Sequence, residues 1–76
     1  MKDHLKLLMS NVFDVPIELV NDKMAQDNCS QWDSLNQLLL ITAIEEEFSV
    51  TLNDDDVIVM NSFTSIINIL ESKVQS

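Results

Sequence analysis

The sequence of 76 residues contains no glycine, one proline and one cysteine. Because the tight turns of β-hairpins usually take glycine at positive φ, the lack of glycine disfavours a β-rich fold. The lone cysteine, Cys29, cannot form an internal disulfide, whereas small secreted domains usually depend on disulfides for stability. These deficits predict a helical chain and a reducing, cytoplasmic compartment.

Basic residues are also scarce. Four lysine or arginine residues stand against thirteen aspartate and glutamate residues, which gives a formal net charge of -9. This sign opposes binding to a phosphate backbone, so we expect no nucleic-acid partner. It favours encounters with proteins that present lysine and arginine patches. No apolar run approaches the ~20 residues of a membrane span, and we expect a soluble chain that does not insert into membranes.

The sequence does contain enough apolar residues for one core. The hydrophobic set makes up 46% of the chain, which suits a single domain over residues 1–76. Apolar residues at helical spacing predict a first helix over 3–13, with Asp3 as its cap. Pro16 must turn the chain. The segment 14–32 then has no sustained period, so we expect a long connection that is functional or packed as a loop.

The second half of the chain predicts three further helices. A helix free of glycine and proline begins at Asp33 or Ser34 and runs to residue 48. Asn53 or Asp54 can cap a short helix, and Asn61 or Ser62 can cap the last one. We therefore predict an all-α fold, a small antiparallel four-helix bundle with three main helices, one short helix and a long first loop. The predicted core comprises Leu40, Ile41, Ile44, Met60, Phe63, Ile66, Ile67 and Leu70.

The helix over 34–48 has apolar residues on two sides. Opposite its core side lies a second arc, apolar towards the N-terminus and acidic towards the C-terminus. One interpretation is that the leucines of this arc pack under the long loop. The other is that the arc is a docking face for partner proteins. Its residues are Leu35, Leu38, Leu39, Thr42, Glu45 and Glu46.

A serine at a helix start is usually only a cap, but the context of Ser34 suggests more. The triplet Asp33-Ser34-Leu35 follows the long loop and begins a helix that ends in three glutamates and a phenylalanine. With the segments 32–38 and 43–48, it resembles the phosphopantetheine attachment site of acyl carrier proteins. The order and length of the predicted helices extend this resemblance to essentially the whole chain.

The resemblance implies a covalent cofactor on Ser34. In that family a transferase moves 4′-phosphopantetheine from coenzyme A onto the serine hydroxyl, and the terminal thiol of the arm carries acyl groups as thioesters. Asp33 would help to position the magnesium ion of the transferase, and Leu35 would be the first hydrophobic contact beside the arm. The implied protein is a monomeric carrier rather than an enzyme and holds no metal itself. Its partners would be the phosphopantetheinyl transferase and acyl-loading and acyl-using enzymes with basic docking patches.

Departures from the best-known fatty-acid carriers predict service in a specialised biosynthetic pathway. Asn36 and Leu39 stand where those carriers commonly have acids. An aminoacyl carrier, for example a D-alanyl carrier, would use the same chemistry at Ser34. A helical interaction module whose Ser34 is only a cap is the alternative outside the family. An enzyme ranks third, because no convergent acid, base and nucleophile are visible.

Two other features have simpler interpretations. The acids Asp54, Asp55 and Asp56 could suggest a calcium site, but a calcium-binding EF-hand loop needs a glycine and the sequence has none. Acids at the start of a helix are the favoured interpretation, because they interact favourably with the helix dipole. Trp32 can anchor the loop in the core or flank the arm, and packing is the favoured interpretation.

Overall fold

The computed structural model describes residues 1–74 and places four α-helices and two short 3-10 helices in them. Within this part of the chain no β-strand forms, and a single antiparallel bridge pairs Ala25 with Ser62. The predicted all-α, four-helix fold is confirmed. The α-helices are α1 (Lys2–Phe13), α2 (Ser34–Phe48), α3 (Asp54–Val59) and α4 (Phe63–Val74), and the 3-10 helices are Ile17–Leu19 and Gln26–Asn28.

Helix α1 begins one residue earlier than its sequence pattern predicts. Met1 is the N-cap residue and makes no side-chain cap bond, so the prediction that Asp3 caps this helix is wrong. Asp3 instead lies in the first turn, where its negative charge interacts favourably with the positive end of the helix dipole. The apolar face of α1 is buried through Leu5, Met9 and Phe13.

Helices α1 and α2 both end on left-handed residues although the chain has no glycine. Asp14 has φ 55° and Ser49 has φ 54°. Aspartate tolerates the left-handed region better than most residues. In this conformation the backbone N–H of the cap residue can donate a hydrogen bond to a carbonyl in the last helical turn. The Asp14 N–H accordingly donates to the Ser10 carbonyl, and the Ser49 N–H donates to the Glu45 carbonyl.

The long connection between α1 and α2 is a packed loop. Pro16 precedes the first 3-10 helix, as expected of a residue that turns the chain. The middle of the loop is fixed to the start of α4, because the Gln26 N–H donates to the Asn61 carbonyl and the Phe63 N–H donates to the Met24 carbonyl, both at 2.9 Å. Its buried side chains are Val15, Val20, Met24 and Trp32.

Seven of the eight predicted core residues are buried. The exception is Ile41, which packs against the core but is half-buried. It lies at the edge of the core side of α2, so it contributes to the predicted core as a partly buried residue. The predicted set also left out the part of the core that α1 and the long loop supply.

Polar contacts cap helix α3 and tie it to α4. Its Asn53 cap accepts from the Asp56 N–H at 2.8 Å, and Asp56 pairs with Lys73 of α4 at 2.8 Å. The hydrogen bond from Lys73, followed by that from the Asn53 N–H, lowers the pKa of Asp56. Because this pKa is lower folded than unfolded, the pair stabilises the protein at neutral pH and loses that effect as the pH falls through the folded-state pKa. None of the residues Asp54–Val59 is buried.

Candidate functional site

Ser34 is the first residue of α2, and its side chain is exposed. Asp33 caps the helix by accepting from the Asn36 N–H at 2.8 Å. The first intrahelical bond runs from the Gln37 N–H to the Asp33 carbonyl, so the N–H groups of Ser34 and Leu35 have no acceptor within the helix. The site is thus a hydroxyl in solvent at the positive end of a helix dipole.

The loop that leads into Ser34 is fixed from two sides. Trp32 is 2% exposed and packs on Phe13 of α1, with ring centroids 5.2 Å apart. The interpretation of Trp32 as a packing residue is therefore confirmed. On the other side, the Asn36 side-chain amide donates to the Gln31 carbonyl at 2.7 Å. Asn36, which the sequence marked only as a missing acid, thus holds the loop beside Ser34.

Gln37 is a residue of this site that sequence reasoning missed. Its Oε1 accepts from the Trp32 indole N–H, and its Nε2 donates to the Met60 carbonyl at 3.2 Å. We call this pair of bonds the Gln37 bridge. In the sequence, Gln37 is only a polar residue in a largely apolar helix, and this does not identify its partners.

The leucines in the first turns of α2 lie in solvent. Leu35, Leu38 and Leu39 are 66%, 65% and 51% exposed. The interpretation that they pack under the long loop is therefore wrong, and the first half of the second arc is an open apolar surface. Helix α3 adds two exposed apolar residues, Ile58 at 72% and Val59 at 48%. Exposed apolar residues in such number on a small domain are typical of an interaction site.

Some acids at the C-terminal end of α2 make contacts within the chain, and one is free to contact a partner. Glu45 is half-buried and accepts from the Leu52 N–H at 2.9 Å. Glu47 contacts the His4 ring nitrogen at 3.2 Å. These contacts explain how two acids are accommodated at the unfavourable negative end of the helix dipole. Thr42 and Glu46 are exposed. Apart from the leucines, they are the residues of the arc that a partner can contact most easily.

No family model matches the sequence. An acyl carrier protein from Buchnera aphidicola subsp. Schizaphis graminum is 31% identical over 70 residues, which span 91% of this chain and 87% of that protein. The chain belongs to the acyl carrier protein family.

The fold agrees with this family. A holo acyl carrier protein from Geobacter metallireducens, whose structure was solved by NMR in solution, superposes with a TM-score of 0.87 at 18% identity. The superposition covers 97% of this chain and 85% of that chain. The resemblance first indicated by residues 32–38 and 43–48 thus extends to the arrangement of the helices, which this chain shares with the Geobacter protein.

Cys29 and the acids at the start of α3 are the other candidate reactive groups of the chain. Cys29 is half-buried in the long loop, with Sγ 3.6 Å from Gln31 Oε1. The acids Asp54, Asp55 and Asp56 form the first turn of α3, as predicted. Among residues 1–74, no group of three or more His, Cys, Asp or Glu side chains is arranged to hold a metal ion. In the same range, none of the helices combines the length and the apolar character needed to cross a membrane.

Proposed function

We propose that residues 1–76 form a single carrier domain that bears 4′-phosphopantetheine on Ser34 and carries acyl intermediates of a specialised biosynthetic pathway. The observation that supports this most strongly is the exposed Ser34 hydroxyl at a capped helix start, beside an open apolar surface. Incubation with coenzyme A and a broad-specificity phosphopantetheinyl transferase, followed by mass spectrometry, tests it.

Attachment needs little from this chain beyond the hydroxyl. A bond forms between Ser34 Oγ and phosphorus, the phosphate–phosphate bond of coenzyme A breaks, and adenosine 3′,5′-bisphosphate leaves. The proton of the hydroxyl passes to a base on the transferase, so the chain requires no acid or base of its own. It acts as a substrate of that reaction rather than as an enzyme.

The residues around Ser34 fit the phosphodiester that attachment creates. The free N–H groups of Ser34 and Leu35 and the helix dipole favour a negative charge at this position. The cap bond uses one carboxylate oxygen of Asp33, which leaves the other to face the magnesium ion of the transferase. Leu35 would be the first apolar contact of the arm. When attached, the arm supplies the thiol on which acyl groups are held as thioesters.

Partner enzymes dock, in this proposal, on the exposed side of α2. The leucines Leu35, Leu38 and Leu39 supply the apolar contact, and Glu46 supplies a charge for lysine or arginine side chains of the partner. A leucine surface without acids at positions 36 and 39 suits a dedicated set of partners. This is why we propose a specialised pathway.

Glu46→Lys is expected to slow arm transfer by weakening association. Reversing one exposed charge opposite a basic patch should lower kcat/KM of the transferase about three- to tenfold at low salt, and the difference should shrink as salt screens the charges. Glu71→Lys makes the same change at an exposed position on α4 and serves as the control. Equal rates and equal salt dependence for both variants would show that Glu46 is not in the docking face.

An acyl cargo long enough to enter the core is expected to stabilise the fold. Leu40, Ile44 and Met60 are completely buried, and an apolar chain that reaches them gains ~0.8 kcal/mol for each methylene removed from water. Each kcal/mol added to the free energy of unfolding raises the midpoint of thermal unfolding by roughly 4–8 °C in a domain of this size. The midpoint with an eight-carbon acyl arm should therefore exceed that with the unloaded arm.

The same measurement separates the two kinds of carrier. Core methyl NMR shifts should change along a series of increasing acyl length if the cargo enters the core. Identical midpoints and unchanged methyl shifts across the series would favour the aminoacyl or small-acyl carrier, whose cargo stays in solvent.

A further inference from the structure

The Gln37 bridge connects three segments of the chain. It joins the loop before the attachment site through Trp32, the second turn of α2 through Gln37 itself, and the end of α3 through the Met60 carbonyl. The Asp56–Lys73 pair ties the other end of α3 to α4. No residue within α3 is fully buried, so these polar ties act together with the buried Met60 after the helix and the partly buried Leu52 before it to position α3.

The chemistry of the two partners requires a glutamine-like side chain at this position. An indole N–H can only donate a hydrogen bond, and a backbone carbonyl can only accept one. The planar amide of Gln37 offers one acceptor and one donor group, and so satisfies both partners at once. An apolar residue of similar size at position 37 would leave both partners without this contact.

The position of the bridge places α3 close to the reacting hydroxyl. Gln37 lies three residues after Ser34, about 5 Å further along the helix axis. Ile58 and Val59 directly precede the residue whose carbonyl Gln37 holds. A stable protein interface covers about 800 Å² on each partner, equivalent to a disc with a radius of about 16 Å. An interface of this size centred on Ser34 Oγ would extend past Gln37 and towards the end of α3 that Gln37 contacts.

We propose that Gln37 is a positioning residue for arm transfer, because it holds α3 where Ile58 and Val59 contact the transferase that acts on Ser34. The inference rests on the proposed function in one respect only, namely that a transferase acts on Ser34. Gln37 itself touches neither coenzyme A nor the reacting atoms. Its effect is on the affinity for the transferase and not on the chemical step.

Gln37→Leu tests the bridge, and Gln26→Leu, the same change at an exposed glutamine in the long loop, is the matched control. Trp32 is the only tryptophan, so its indole N–H gives a single NMR signal that reports the bond directly. We expect Gln37→Leu to shift this signal and to speed amide hydrogen exchange in residues 54–60 about thirtyfold, the change expected for two lost hydrogen bonds. The KM of the transferase should rise about fivefold while kcat stays within about twofold. Gln26→Leu should leave all these quantities at their parent values.

Gln37→Glu adds a readout that general loss of stability would not produce. Its carboxylate can accept from the indole, but it offers a donor to the Met60 carbonyl only when protonated. Exchange in residues 54–60 should therefore be fast at neutral pH and should approach the parent rate, measured at the same pH, as the introduced carboxyl becomes protonated.

Two outcomes would overturn the inference alone. Unchanged exchange in α3 of Gln37→Leu would mean that the bridge does not position this helix. Faster exchange with an unchanged KM would mean that the transferase does not contact α3. If the parent protein itself accepted no arm, the proposed function would fail and this inference would fail with it.

Discussion

Ser34→Ala is expected to abolish attachment of phosphopantetheine. The variant removes the only atom, Oγ, that forms the bond to phosphorus, and no neighbouring hydroxyl occupies the same place at the helix start. The exposed position of Ser34 means that the free energy of unfolding should change by no more than about 0.5 kcal/mol. Intact-mass spectrometry after reaction with coenzyme A and transferase should give only the unmodified mass, with the parent's helical circular dichroism.

Ser30→Ala is the matched control for this experiment. Ser30 is also exposed, lies four residues earlier in the loop that leads into α2, and has its hydroxyl 3.2 Å from Gln31 Oε1. We expect complete modification of this variant at the parent rate. Modification that persists in Ser34→Ala, or that is lost in Ser30→Ala, would overturn the assignment of the attachment residue.

Ile44→Ala is expected to have the largest effect on stability. Ile44 is completely buried in α2, and removing its side chain leaves a cavity that typically costs about 2–5 kcal/mol. A domain of this size is stabilised by only about 5 kcal/mol in total. The unmodified variant should therefore retain no more than about 3 kcal/mol, and urea titrations followed by circular dichroism should show its midpoint at a much lower urea concentration than the parent's.

Leu39→Ala provides a control on the same helix. Leu39 is 51% exposed on the side opposite the core, so its truncation should change the free energy of unfolding by no more than about 0.5 kcal/mol. If both variants lost the same free energy, the two-sided description of α2 would be wrong. If Ile44→Ala were as stable as the parent, the position of Ile44 in the core would be wrong.

The features that follow from local rules could be predicted from the sequence. The start of α2 was predictable because Asp33 is a good cap before a run without glycine or proline, and its end because the apolar period stops at Phe48. Ser34 was identifiable because a motif at a helix start is local in sequence. The same holds for the Asn53 cap of α3.

The features that depend on distant contacts could not be predicted. Periodicity assigns Leu35 to one side of a helix, but it does not say whether a loop covers that side, so two interpretations remained until the exposure was known. The contact of Trp32 with Phe13 and that of Glu45 with the Leu52 N–H join segments without a shared period. Gln37 is the extreme case, since its partners lie five residues before it and twenty-three after it.

The most direct test of the central proposal is the site of modification in the parent protein. After incubation with coenzyme A and a transferase that fully converts an established carrier, proteolysis and fragmentation by mass spectrometry should locate one phosphopantetheine, on Ser34. A parent chain that stays unmodified under these conditions would contradict the account, and Ser34 would then be only the first residue of a helix in a non-carrier interaction module.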